Sequence, residues 1–161
     1  MNEAKTIVPG AKSLGAPFAD GFAGGCFCGD IAYEVSAPPR FAYICHCSDC
    51  RRINGSAFHT GLVVDAHAFK IVRGSPARFD CIADSGNVIS RYHCAACGAQ
   101  LYSQTSADPS IVSVKAGSVT SVPHSEIVPT VEIFVTSEVE WNAQAGGTIR
   151  YARGIRGQSP L

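Results

Sequence analysis

Seven of the chain's eight cysteines fall into three clusters: Cys26-x-Cys28-Gly29, Cys45-His46-Cys47-x-x-Cys50 and Cys94-x-x-Cys97-Gly98. Thiolates at such spacing are zinc ligands, and a tetrahedral structural site takes four of them as two pairs from two tight turns. The first and third clusters are such pairs, each with glycine directly after its second cysteine. Glycine there permits a positive φ, so the backbone can fold back and aim N–H groups at the sulfurs. Cys50 is followed by Arg51 instead, which sets the middle cluster apart. Cys26 and Cys28 are therefore paired with Cys94 and Cys97 as a closed four-thiolate site joining two segments distant in sequence.

Cys45, Cys47 and Cys50 remain, three thiolates in one short stretch. Three protein ligands with one open position is the arrangement of a catalytic zinc. A thiol substrate suits that position, because the metal binds sulfur tightly and deprotonates it. The alternative is a second closed site, with His46, Cys81, His59 or His93 as the fourth ligand. Disulfides throughout are a further alternative, which a reducing compartment disfavours. Cys81 sits in an apparent strand without a ligand neighbour and reads as a free, buried, hydrophobe-like cysteine. His46, between two ligands, is expected to point away from the metal. His93 is ambiguous, and His67 and His124 read as surface residues. Arg51 and Arg52 either draw an anionic substrate to the thiolates or are a solvated face. Phe58 fits a pocket wall or the core.

The elements that must carry these clusters are short strands. Ile31–Val35, Ser56–Val64, Phe69–Val72, Ala77–Ala83, Val88–Tyr92, Gln100–Ser103 and Ile111–Ala116 are rich in Val, Ile, Tyr and Phe and broken by Gly, Pro, Asp and Ser. Asp84-Ser85-Gly86-Asn87 reads as a hairpin turn, and one helical turn fits Cys47–Asn54 ahead of Gly55. The expected fold class is mainly β: small antiparallel sheets in a tent-like zinc-binding fold with few short helices. Residues 1–21 read as a flexible lead-in, 22–153 as the zinc-binding domain and 154–161 as a frayed tail.

Composition narrows the function classes. At 161 residues, with 46% hydrophobic and 16% charged, the chain can bury a core of its own and is not a disordered segment. Thirteen basic and thirteen acidic residues leave no net charge, so no nucleic-acid or membrane partner is expected. No signal-peptide or transmembrane-length apolar run is present, and the expected location is the cytoplasm, where thiols stay reduced.

Gly25-Cys26-x-Cys28-Gly29, Cys45-His46-Cys47-x-x-Cys50-Arg51, Gly55-Ser56-Ala57-Phe58 and Cys94-x-x-Cys97-Gly98 together resemble the glutathione-dependent formaldehyde-activating enzyme family, whose domain vertebrate centromere protein V shares. The resemblance runs from about Phe22 to Trp141. It implies two zinc ions per chain, a structural one at Cys26, Cys28, Cys94 and Cys97 and a catalytic one at Cys45, Cys47 and Cys50. It further implies a carbon–sulfur lyase joining a small thiol, glutathione or similar, to an aldehyde. The competing class is a non-catalytic zinc module whose β surface binds a protein, and the fourth position on the middle cluster discriminates the two. Oligomeric state and the true substrate are not legible.

Overall fold

The computed structural model describes residues 8, 10–142 and 146–161. Its strands, in chain order, are β1 (Phe22–Gly25), β2 (Ala32–Val35), β3 (Phe41–Cys45), β4 (His59–Asp65), β5 (Phe69–Arg73) and β6 (Ala77–Ile82). They continue with β7 (Val88–His93), β8 (Gln100–Thr105), β9 (Asp108–Lys115), β10 (Val131–Ile133) and β11 (Ile149–Arg150). One seven-residue helix, α1 (Ser48–Asn54), and several 3₁₀ turns complete the elements.

The strands form a three-stranded sheet, β1-β2-β5, and an eight-stranded sheet, β11-β10-β3-β4-β9-β8-β7-β6. Pairing is antiparallel except where β10 joins β3 and β11 in parallel. The mainly β expectation holds, and all seven expected strands are present within a few residues. The strand expected from Ser56 starts at His59, because Gly55 first ends α1 in the left-handed conformation. The hairpin turn at 84–87 closes with Gly86 N–H on Ala83 O (2.8 Å).

Four strands escaped the sequence reading: β1, β3, β10 and β11. β3 is buried on both faces, so no polar alternation marks it. β10 and β11 are three and two residues long.

The main core joins Phe18, Tyr33, Leu62, Val64, Leu101, Val112 and Val114 between the sheets, and a second cluster gathers Val8, Phe41, Val63, Val131 and Tyr151. The small sheet is fastened to the segment after β9 by Tyr33 Oη and Ser118 Oγ (2.8 Å). Along its described residues the N-terminal stretch is anchored: Leu14 and Phe18 lie in the main core, Phe18 edge-on to Phe22. Residues 1–7 and 9, also part of that expected lead-in, lie outside the described residues. Near the C-terminus Ile155 packs on the second cluster, and Leu161 N–H donates to Arg150 O (2.9 Å). Among the described residues no helix is long and apolar enough to cross a membrane.

Candidate metal centres

Two hairpin turns deliver the first group of thiols. Cys26 and Cys28 occupy the turn from β1 to β2, closed by Cys26 N–H on Ile31 O (3.0 Å). Cys94 and Cys97 occupy the turn from β7 to β8, closed by Cys94 N–H on Ala99 O (3.0 Å). Gly29 and Gly98 carry φ of 84° and 74°, the left-handed geometry that lets each turn fold back on its sulfurs. Ile31 N–H then donates to Cys26 Sγ (3.2 Å). The backbone at Ala99, then at Cys28, draws the Cys97 thiol down to about 6, since an N–H pointing at sulfur favours thiolate.

All four Sγ atoms lie within 4.8 Å of one another. A tetrahedral zinc with Zn–S of about 2.3 Å spaces its sulfurs about 3.8 Å apart. Cys26–Cys28 and Cys28–Cys94 stand 3.5 and 3.7 Å apart, so the donor set fits that ion.

The second group sits where β3 runs into α1. Cys45 ends β3, Cys47 is the N-cap of α1 and Cys50 lies in its first turn. Cys50 N–H donates to Cys47 Sγ (3.3 Å), the bond an N-cap oxygen usually accepts. The three Sγ atoms also lie within 4.8 Å of one another, a second donor set that suits zinc. Thiols this close cannot all ionise alone. Hydrogen bonds from Cys45 and Cys50, then the Cys50 N–H and Arg91, hold Cys47 far below a normal thiol, while Cys45 is pushed far above one.

Among the described residues none of the four alternative fourth ligands joins this group. His46 is fully buried, and its Nε2 hydrogen-bonds Glu132 Oε2 (3.0 Å). Glu132, 1% exposed, also accepts from Thr148 Oγ1 (2.5 Å), so His46 ties the cysteine loop to the β10–β11 edge. Cys81 is half-buried rather than buried, because β6 is the edge strand of its sheet, and accepts from Arg91 Nε (3.4 Å); His93 belongs to neither thiol group. His67 and His124 are exposed as expected.

The sequence reading missed the cations that meet the site. Arg91 and Lys115 are 6% and 5% exposed, and the charges of both reach Cys50. Arg51 and Arg52, weighed for that role, sit in the last turn of α1, where they complement the helix C-terminus. The available signal was a basic residue inside an apolar strand, as in Val112-Ser113-Val114-Lys115-Ala116.

A cavity of about 630 Å³ is lined by Phe58, His59, Asn54 and Lys115, with Cys26 and Phe27 also on its wall; none of Cys45, Cys47 and Cys50 lines it, and Lys115 is the wall residue whose charge reaches Cys50. His59 stands opposite Cys45 in the β3–β4 register. Burial, then the charges of Lys115 and Arg91, lower its pKa to about 3, so the ring is neutral, and its Nε2 has no partner. Phe58 is thus a cavity residue, one of the two roles open to it.

The model of one family, described as glutathione-dependent formaldehyde-activating enzyme, matches residues 21–137. The chain belongs to that family. The formaldehyde-activating family model covers both thiol groups and the strands that carry them. A crystal structure of a Rhodobacter sphaeroides protein superposes with a TM-score of 0.50 at 21% identity, over 63% of this chain and 90% of that one. At that identity the likeness concerns the fold. No curated protein matches the sequence.

Proposed function

We propose that the protein is a zinc-dependent carbon–sulfur lyase-like enzyme that forms and breaks adducts between a small thiol, glutathione or a similar one, and an aldehyde such as formaldehyde. It acts in the cytoplasm with two zinc ions per chain. Cys26, Cys28, Cys94 and Cys97 hold a structural ion, and Cys45, Cys47 and Cys50 hold a catalytic one. The observation that carries this reading is the convergence of three thiols without a fourth protein donor among the described residues, with Lys115, buried on the wall of the cavity, reaching Cys50 by its charge. The family description, which names glutathione and formaldehyde, supports the choice of reactants.

An ion held by the three thiolates supplies a position where a thiol, with an unperturbed pKa of about 8.5, is kept as thiolate near pH 7. The chain's own residues do the rest. The cavity confines the aldehyde beside the thiol, and that placement is the main source of acceleration, since metal-bound sulfur is a weaker donor than free thiolate. Asn54, whose amide donates to Cys50 O (2.6 Å), and His46, held by Glu132, brace the ligand loop from two sides.

The test is exchange between free formaldehyde and its thiol adduct, followed by NMR across several thiols. Zinc-loaded protein should speed both directions equally, and cobalt-substituted protein should change its visible spectrum on adding thiol. If no thiol exchanges faster and cobalt shows no response, the enzyme reading fails and a protein-binding zinc module replaces it.

A further inference from the structure

We propose that Lys115 is a catalytic residue of this reaction: its ammonium binds the aldehyde oxygen and delivers the proton that completes the adduct. The inference rests on the open three-cysteine reading above. Lys115 closes β9 and is 5% exposed, yet among the described residues no carboxylate pairs with it. The charges it meets are Cys50, Arg91, Cys45 and Cys47, and His59 beside it is neutral. It also lines the cavity, whereas none of the three thiols does. Lys115 therefore stands where the space for a small molecule meets the sulfur charges.

A buried ammonium with only shared sulfur charges to offset it is disfavoured, and it stabilises an anion that forms beside it. Charge counting identifies that anion. Three thiolates and a divalent ion carry one net negative charge, which Arg91 already balances. The Lys115 charge is in excess of that balance, and the anion that forms in the cavity it lines is the oxygen of the adding aldehyde. During addition that negative charge moves from sulfur to oxygen.

In the forward step a sulfur lone pair forms the S–C bond and the C=O π pair moves onto oxygen. A proton passes from Lys115 Nζ to that oxygen, giving the hydroxymethyl thioether. Lys115, now a neutral amine, recovers a proton from the next thiol as that thiol becomes thiolate. One thiol and one aldehyde give one adduct, and no other reactant is consumed. Burial, reinforced by Arg91 and opposed by the thiol charges, holds the Lys115 pKa below the usual lysine value, which makes the ammonium a readier proton donor.

The experiment compares wild-type, Lys115→Met and Lys115→Arg proteins by formaldehyde–glutathione exchange NMR, zinc content, thermal melting and the cobalt response to glutathione. Lys115→Met should keep its zinc, its melting temperature and its cobalt response while losing about 10²-fold in exchange, the usual loss when one oxyanion donor is removed. Lys115→Arg keeps the buried charge and serves if the Met variant does not fold. It can bind the oxygen but cannot release a proton, so it should exchange at least about ten-fold more slowly than wild type. Wild-type exchange in either variant overturns the role of Lys115 and leaves the open site standing. Loss of the cobalt response in Lys115→Met also overturns it, making the residue a thiol anchor. If the wild type itself neither exchanges nor responds, the underlying enzyme reading fails, and this role with it.

Discussion

Removing both ligands from one side of each centre should destabilise the chain unequally, and the geometry sets the difference. Cys94→Ser/Cys97→Ser frees a constraint between Cys28 and Cys94, which are 66 residues apart. Cys47→Ser/Cys50→Ser frees a constraint within a stretch of about five residues. The entropy of closing a flexible loop grows as (3/2)RT ln n, so the longer closure is worth about 2 kcal/mol more. For a chain of 161 residues that is a further loss of about 4–8 °C in melting temperature. Direct metal–thiolate energy adds to both variants, and more to the four-thiolate centre. The assay is thermal melting at fixed zinc with metal counted by elemental analysis, where each variant should retain one zinc per chain. Equal melting losses, or a larger loss for Cys47→Ser/Cys50→Ser, would refute the division into a fold-holding and a reacting centre.

Glu132→Gln should cost about 3 kcal/mol, because it disturbs a buried carboxylate that serves His46, Thr148 and Arg150 together. Zinc should leave the three-cysteine centre before the four-cysteine one under chelator titration; the reverse order contradicts the bracing role of His46. His59, lowered to about 3 against about 6.5 in the unfolded chain, takes its proton more weakly when folded. Its stabilising share is intact above pH 6.5 and is lost as pH falls toward 3, with a slope approaching 1.4 kcal/mol per pH unit at most, about the energy of one unit of pKa. The ring's NMR shift should stay flat from pH 8 to 5, and a midpoint inside that range would show that the ring is solvated.

The thiol groups were legible because ligand spacing and the following glycines are local properties, and Gly29 and Gly98 do adopt the conformation that their position implies. Strands with one wet face were legible for the same reason: β2 alternates along its own length, with Tyr33 and Val35 buried and Glu34 exposed. What escaped depends on tertiary placement. β3 has no wet face, and β10 is only three residues long and pairs in parallel with β3 across more than eighty residues of chain. Lys115 and Arg91 are ordinary basic residues until β4, β7, β8 and β9 lie side by side and point them at Cys50. His46 showed its direction away from the metal but not its partner, since Glu132 lies 86 residues along the chain.

The two thiol groups are linked through the cavity, since Cys26 lines it together with Asn54, which donates to Cys50 O, and Lys115, whose charge reaches Cys50. Gly25, Cys26 and Phe27 form part of the wall whose other side is His59 and Lys115. An ion held by all four thiols, as proposed, would fasten the turn carrying Cys26 and Cys28 to the β7–β8 turn, so its loss would release one wall of the space where the aldehyde would sit. A Cys94→Ser/Cys97→Ser protein that no longer accelerates exchange would therefore say nothing about where the chemistry happens. Only loss of exchange in a folded Cys47→Ser/Cys50→Ser protein, with the cavity wall still fastened, assigns the reaction to the three-cysteine centre.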